Sequence, residues 1–136
     1  MDEKLFGVFL DDERLPEDVT WVNYPDNVTW FVVSSPETFN YAVKRLEEKC
    51  YDYFVSFDHD IQVFVNSEEI TGYDILKKMV DEQLYGNKRI PECYFHTQNP
   101  IGKKNMQMYY NNAKECRNEP YIYPGIETEN YLKELK

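Results

Sequence analysis

Three short polar runs concentrate the chemistry of this chain: Asp11-Asp12, Asp58-His59-Asp60 and His96-Thr97-Gln98-Asn99. Both of its histidines fall in them. Clustered carboxylates offer hard oxygen ligands to Mg²⁺, Mn²⁺ or a similar divalent ion. Without a cation they repel one another, which raises their pKa values. A histidine pair can divide acid and base roles in cleaving a phosphodiester. Asn99 can donate to a phosphoryl oxygen, and Lys103 or Lys104 can hold a phosphate as a point charge. Both lysines follow Gly102, where a helix start would present backbone N–H groups that suit an anion.

Each piece alone has an ordinary explanation. A DD pair is usually a solvated turn, a lone histidine after a strand is usually a hydrogen-bonded structural group, and Thr71-Gly72 is by default a cap and turn. Their shared position is what points to a site, because each run closes an apolar segment that reads as a strand. Leu5 to Leu10 stops at Asp11, Tyr53 to Phe57 stops at Asp58, and Cys93 to Phe95 stops at His96. In an open parallel sheet, ligands sit outside the carboxyl ends of the strands.

The remaining elements follow from periodicity. Val28 to Val33 reads as a second strand, rich in β-branched and aromatic residues. Ser35-Pro36-Glu37 opens a helix whose inward stripe is Phe39, Ala42, Val43 and Leu46. Thr71 caps a helix with Ile75, Leu76, Met79, Val80 and Leu84 on one face, and Gly86-Asn87 ends it. A last helix begins near Gly102 and turns Met106, Tyr109, Tyr110 and Ala113 inward. Residues 14–27 read as an irregular connection with a short strand at 20–23, residues 66–69 as a polar loop, and 121–124 as a short terminal strand before a frayed helix. Strands alternating with helices predict a parallel α/β sheet of four to five strands, covered on both faces, with the helix between the first two strands reduced or missing.

The totals agree with one domain spanning residues 1–136. The chain has 136 residues, 42% hydrophobic and 16% aromatic, enough for a single core. Its net charge of -10 argues against binding an extended nucleic-acid backbone, which rests on Lys and Arg displacing counterions. A small phosphorylated ligand or an RNA end held by a local pocket fits better. Three widely spaced cysteines, Cys50, Cys93 and Cys116, suit a reducing compartment and read as buried small hydrophobes. With no basic leader and no membrane-length apolar run, a cytoplasmic location without membrane contact is the expectation.

The strand-end runs resemble the receiver domain of two-component signalling, where an acidic pair holds Mg²⁺ and the third-strand Asp accepts a phosphoryl group. They resemble more closely the cyclic-phosphate processing receiver domain family. The matching stretches are residues 8–16 (VFLDDERLP), 56–60 (SFDHD), 71–74 (TGYD) and 96–102 (HTQNPIG) with Asn105-Met106. The resemblance implies a flavodoxin/receiver-like three-layer sandwich and an activity on cyclic phosphates, such as a 2′,3′-cyclic RNA end or a cyclic nucleotide. After Asp60 the chain has Ile61-Gln62 where the family tends to have Leu-Gly, and a longer loop follows, a departure that bears on ligand choice.

Three functions remain open at the level of sequence. The first is a metal-assisted phosphoesterase. In it Asp11, Asp12, Asp58 and Asp60 hold the ion, and His59 and His96 act as acid and base in unassigned order. Asp58 joins them in the chemistry, and Arg14, Thr97, Asn99 and Lys103 bind the phosphate. The second is a receiver phosphorylated on Asp58. The third is a non-catalytic module that binds a cyclic nucleotide or a protein.

Overall fold

The computed structural model describes residues 4–118, with side chains to Glu115. Four strands form one parallel sheet: β1 (Leu5–Leu10), β2 (Val28–Val33), β3 (Asp52–Phe57) and β6 (Glu92–Phe95), in the order β2-β1-β3-β6. A separate antiparallel hairpin, β4 (Val63–Val65) and β5 (Glu68–Ile70), stands between β3 and α2. The helices are α1 (Pro36–Glu48), α2 (Gly72–Tyr85) and α3 (Pro100–Asn118). This is the α/β, receiver-like arrangement expected. No helix among the described residues is long and apolar enough to cross a membrane.

The helix starts form where the sequence places its caps. Ser35 accepts the Thr38 N–H at 3.1 Å, with Pro36 at the first helical position. Thr71 and Asp74 exchange reciprocal bonds at the start of α2. The inward stripe of α1 is buried in full, and α2 buries Ile75, Leu76, Met79 and Val80. Asn87, at φ 52°, takes the left-handed position that ends α2, rather than Gly86.

The buried residues of all three helices join one cluster with alternate strand residues: Phe6, Val8 and Leu10 of β1, Val55 and Phe57 of β3, Cys93 and Phe95 of β6. The opposite sheet face carries Gly7 and Phe9, Phe54 and Ser56, Trp30 and Tyr94. Among the described residues, the irregular segment 14–27 forms the layer over that face. Its Tyr24 ring meets Trp30, Phe54 and Tyr94 at 5.0, 6.2 and 5.3 Å. A Cβ on Gly7 would approach the Trp30 ring to 2.6 Å, so only glycine lets that ring lie on β1. The helix between the first two strands is reduced to one 3-10 turn, Pro16–Asp18.

Several sequence expectations need correction. Residues 20–23 form no strand; Trp21 stays 41% exposed and spends its indole N–H on the His96 carbonyl. The polar stretch 66–69 is a hairpin: Asn66 and Ser67, at φ 52° and 67°, make the two-residue turn whose twist matches paired strands. The last helix starts at Pro100, two residues before Gly102. Cys50 is exposed, whereas Cys93 is buried as expected, with burial pushing its thiol up. The proposed terminal strand at 121–124, the frayed helix and the Cys116 side chain lie outside the described residues.

Candidate active site

Strand register aligns the three chemical runs. Leu10 pairs with Phe57, and Phe57 with Phe95, so Asp11, Asp58 and His96 follow on one level at the carboxyl edge. The ladder carries one step further, with Asp58 N–H donating to the Leu10 carbonyl and His96 N–H to that of Phe57, at 2.9 and 3.1 Å. Asp11, Asp58 and His96 each offer a ligand atom, and the three atoms lie within 4.8 Å of one another, all on buried residues.

A cleft of about 450 Å³ opens above them. Asp11, Asp12, Arg14, Asp58, Asp60, Thr97 and Asn99 all line it, as does Gln62 from the stretch that departs from the family pattern. His59, His96 and Lys103 do not. Lys103 sits half-buried on the first turn of α3, and His96 is fully buried beneath Asp11.

Both Asp11 oxygens are engaged. Oδ1 accepts the Glu13 and Arg14 N–H groups at 2.8 and 3.0 Å, and Oδ2 meets His96 Nε2 at 2.9 Å and Arg14 Nη1 at 3.6 Å. Burial pushes this carboxyl up, but the His96 bond and the two backbone donors outweigh it and leave Asp11 below its ordinary value. Asp58 moves the other way. Burial and the neighbouring Asp11 charge raise it, against the Thr97 hydroxyl and the His59 N–H. Two adjacent carboxylates with opposite shifts are typical of a site built for a cation or a proton.

The second histidine belongs to a different pair. His59 Nδ1 lies 2.9 Å from Asp60 Oδ1, and the Asn99 amide donates to Asp60 Oδ2 at 3.2 Å. The His59 bond is the main reason Asp60 sits below its ordinary value; the Asn99 bond adds to it against burial. Asp60 therefore accepts, and the His59 proton rides on Nδ1. The His59 ring packs against the first turn of α3, where a Cβ at Gly102 would lie 2.5 Å from its carbons. Asn99 has a role the sequence did not give it: its carbonyl oxygen caps α3 by accepting the Gly102 N–H at 3.0 Å.

Sequence reasoning missed Ser56, Tyr24 and Trp21. Ser56 Oγ lies 2.7 Å from His96 Nδ1 and 2.6 Å from the Tyr24 hydroxyl, and Trp21 Nε1–H donates to the His96 carbonyl at 2.8 Å. Ser56 had a signal, since a hydroxyl inside the apolar run of β3 needs a partner and sits two residues before Asp58 on the same strand face. Trp21 and Tyr24 had none, as they lie in a segment without periodicity.

The chemistry of the donor set fits a hard divalent cation. Asp11 and Asp58 are buried carboxylates beside an open cleft, with exposed Asp12 at the rim. Asp12 and Asp60 line the cleft outside the compact group. Comparison with curated proteins and with solved structures finds no match. The family model of the cyclic-phosphate processing receiver domain matches residues 6–112, a span that contains every residue of the cleft, and the chain belongs to that family.

Proposed function

We propose that this chain is a phosphoesterase that opens a cyclic phosphate in the cleft over Asp11 and Asp58. The observation that carries the reading is the convergence of Asp11, Asp58 and His96 within 4.8 Å beneath a cleft that also holds a guanidinium. A divalent ion, Mg²⁺ or Mn²⁺, held by Asp11 and Asp58 with Asp12 at the rim, would neutralise phosphoryl charge and polarise the ester.

The chain's own groups supply the rest. Arg14 reaches from the Asp11 carboxylate to the Gln98 side chain, 3.2 Å from its Nη2, and its planar fork suits two phosphoryl oxygens. Asn99 and Pro100 bring the positive end of α3 to the cleft wall, where an anion is favoured. His59 stands beside the cleft and not in its lining, joined to it through Asp60; with Nδ1 committed to that carboxylate, Nε2 is left for proton transfer, which makes it the general base or acid of this reading. His96 has both ring nitrogens occupied and no exposure, so it acts through Asp11 and not on the substrate.

The test is chromatographic. 2′,3′-cyclic mononucleotides, 3′,5′-cyclic nucleotides, an oligoribonucleotide with a 2′,3′-cyclic end and linear monoesters are incubated with Mg²⁺, Mn²⁺ or EDTA. One cyclic class should open with metal, and EDTA, Asp58→Asn and His59→Gln should each abolish most turnover. A cyclic nucleotide that binds saturably and is recovered intact in every arm would make the chain a binding module instead.

A further inference from the structure

We propose that Tyr24 and Ser56 are positioning residues for the candidate cation-binding carboxylate, locking His96 with its Nε2–H on Asp11. The inference rests on the reading of Asp11 as a cation ligand. It starts from four side chains in series: the Tyr24 hydroxyl 2.6 Å from Ser56 Oγ, Ser56 Oγ 2.7 Å from His96 Nδ1, and His96 Nε2 2.9 Å from Asp11 Oδ2. Ser56 and His96 have no exposure at all, and Asp11 is 3% exposed.

The direction of each bond follows from its far end. Asp11 is an ionised carboxylate and can only accept, so His96 Nε2 carries a proton. A neutral ring then presents a bare Nδ1, which must accept from Ser56. The Ser56 oxygen is left to accept from Tyr24, whose burial pushes its phenol up to about 12 and keeps it a donor. With a neutral ring every proton has one place, whereas an imidazolium would donate from Nδ1 and reverse the Ser56 bond. The ring is further fixed by stacking on Phe9, 4.3 Å between centroids and 8° between planes, and by the Trp21 bond to the His96 carbonyl. The alternative is a His96 that ligates the cation through Nε2, which would require the proton on Nδ1 and reverse the Ser56 bond. The 2.9 Å approach of Nε2 to Asp11 favours donation over ligation.

Histidine side-chain ¹⁵N NMR tests this directly, because the chain has two histidines and His59→Gln assigns them. Wild-type His96 should show a protonated Nε2 with and without Mg²⁺, while Tyr24→Phe and Ser56→Ala should give a tautomer mixture. Calorimetric Mn²⁺ dissociation constants should rise about 10-fold in both variants, the scale for groups that orient a metal ligand. Tyr94→Phe removes a hydroxyl from the same aromatic cluster, outside the series, and should move neither readout. A protonated Nδ1 in the wild type, or a switch to it on adding Mg²⁺, overturns the proposal. So does unchanged tautomer and Mn²⁺ affinity in Tyr24→Phe and Ser56→Ala, even if both melt earlier. A wild type that binds no Mn²⁺ at all refutes instead the cation reading, and with it the purpose assigned to the series.

Discussion

Asp58→Asn should make the metal-free protein more stable. The ligand oxygens of Asp11 and Asp58 lie no more than 4.8 Å apart. At that separation, with an effective dielectric of about 20, two unit charges repel by about 3.5 kcal/mol. The Arg14 guanidinium offsets part of that repulsion, so the expected net gain is about 1–2 kcal/mol, within the range of single stabilising substitutions. For a chain of this length, 1 kcal/mol moves the melting point by roughly 3–5 °C. The pH dependence has a definite sign. Asp58 is raised above its ordinary value of 3.8, so its ionisation destabilises the fold at high pH and the penalty fades as pH falls through the raised value. The variant's advantage should therefore be full at pH 8 and shrink on acidification. Saturating Mg²⁺ should invert the order, because a ligand at a hundred times its dissociation constant stabilises the wild type by about 2.7 kcal/mol and the variant has lost a ligand. Thermal melts at several pH values, with EDTA and with Mg²⁺, read all of this. A variant that melts below the wild type in EDTA at pH 8 refutes the argument that these carboxylates are held against each other.

The other predictions separate the roles of neighbouring groups. Asp11→Asn should cost about 1.5–3 kcal/mol in urea denaturation, the range for hydrogen bonds to a charged group. Because Asp11 is depressed below 3.8, that loss should be complete above pH 4 and vanish as pH drops through the depressed value. Gly102→Ala drives a methyl into the His59 ring and should lower cyclic-phosphate turnover at least 10-fold while the circular dichroism spectrum is kept. Gly72→Ala, whose methyl would fall on the Asp58 carbonyl oxygen, should cost more than about 3 kcal/mol, since backbone cannot yield there as a side chain can. Incubation with acetyl phosphate should leave the intact mass unchanged, and a stable addition of one phosphoryl group at Asp58 would favour a phospho-accepting receiver.

Much of this arrangement is legible in the sequence, and the reason is local. The three strands that carry the site, β1, β3 and β6, are short and buried at their carboxyl ends, so an apolar run ending in polar, ionisable residues announces both a strand and its carboxyl edge. Ser35-Pro36 and Thr71 announce helix starts by chemistry confined to four residues. The histidines were harder. His59 and His96 look alike in sequence, two residues and one residue past a strand, yet one packs on a glycine of α3 beside the cleft and the other is sealed under Asp11. That difference arises from contacts 40 and 85 residues away, which periodicity does not encode. The short strand expected at 20–23 failed for the same reason, because Trp21 and Tyr24 gain their places from β3, β6 and the residue after β6, not from their neighbours in the chain.

Replacing a helix by coil over one face of the sheet has a cost for tolerance to insertion. A helix would cover the sheet through a stripe of interchangeable apolar residues, and a change of length in its loops would leave that stripe in place. Here the cover is stitched to the site by two side chains three residues apart. Adding or deleting one residue between Pro16 and Tyr24 would pull the stitches out of register, whereas the turn at Asn66-Ser67 can lengthen freely. Grafting this cleft onto another parallel sheet would therefore mean carrying residues 14–27 along with the strand ends.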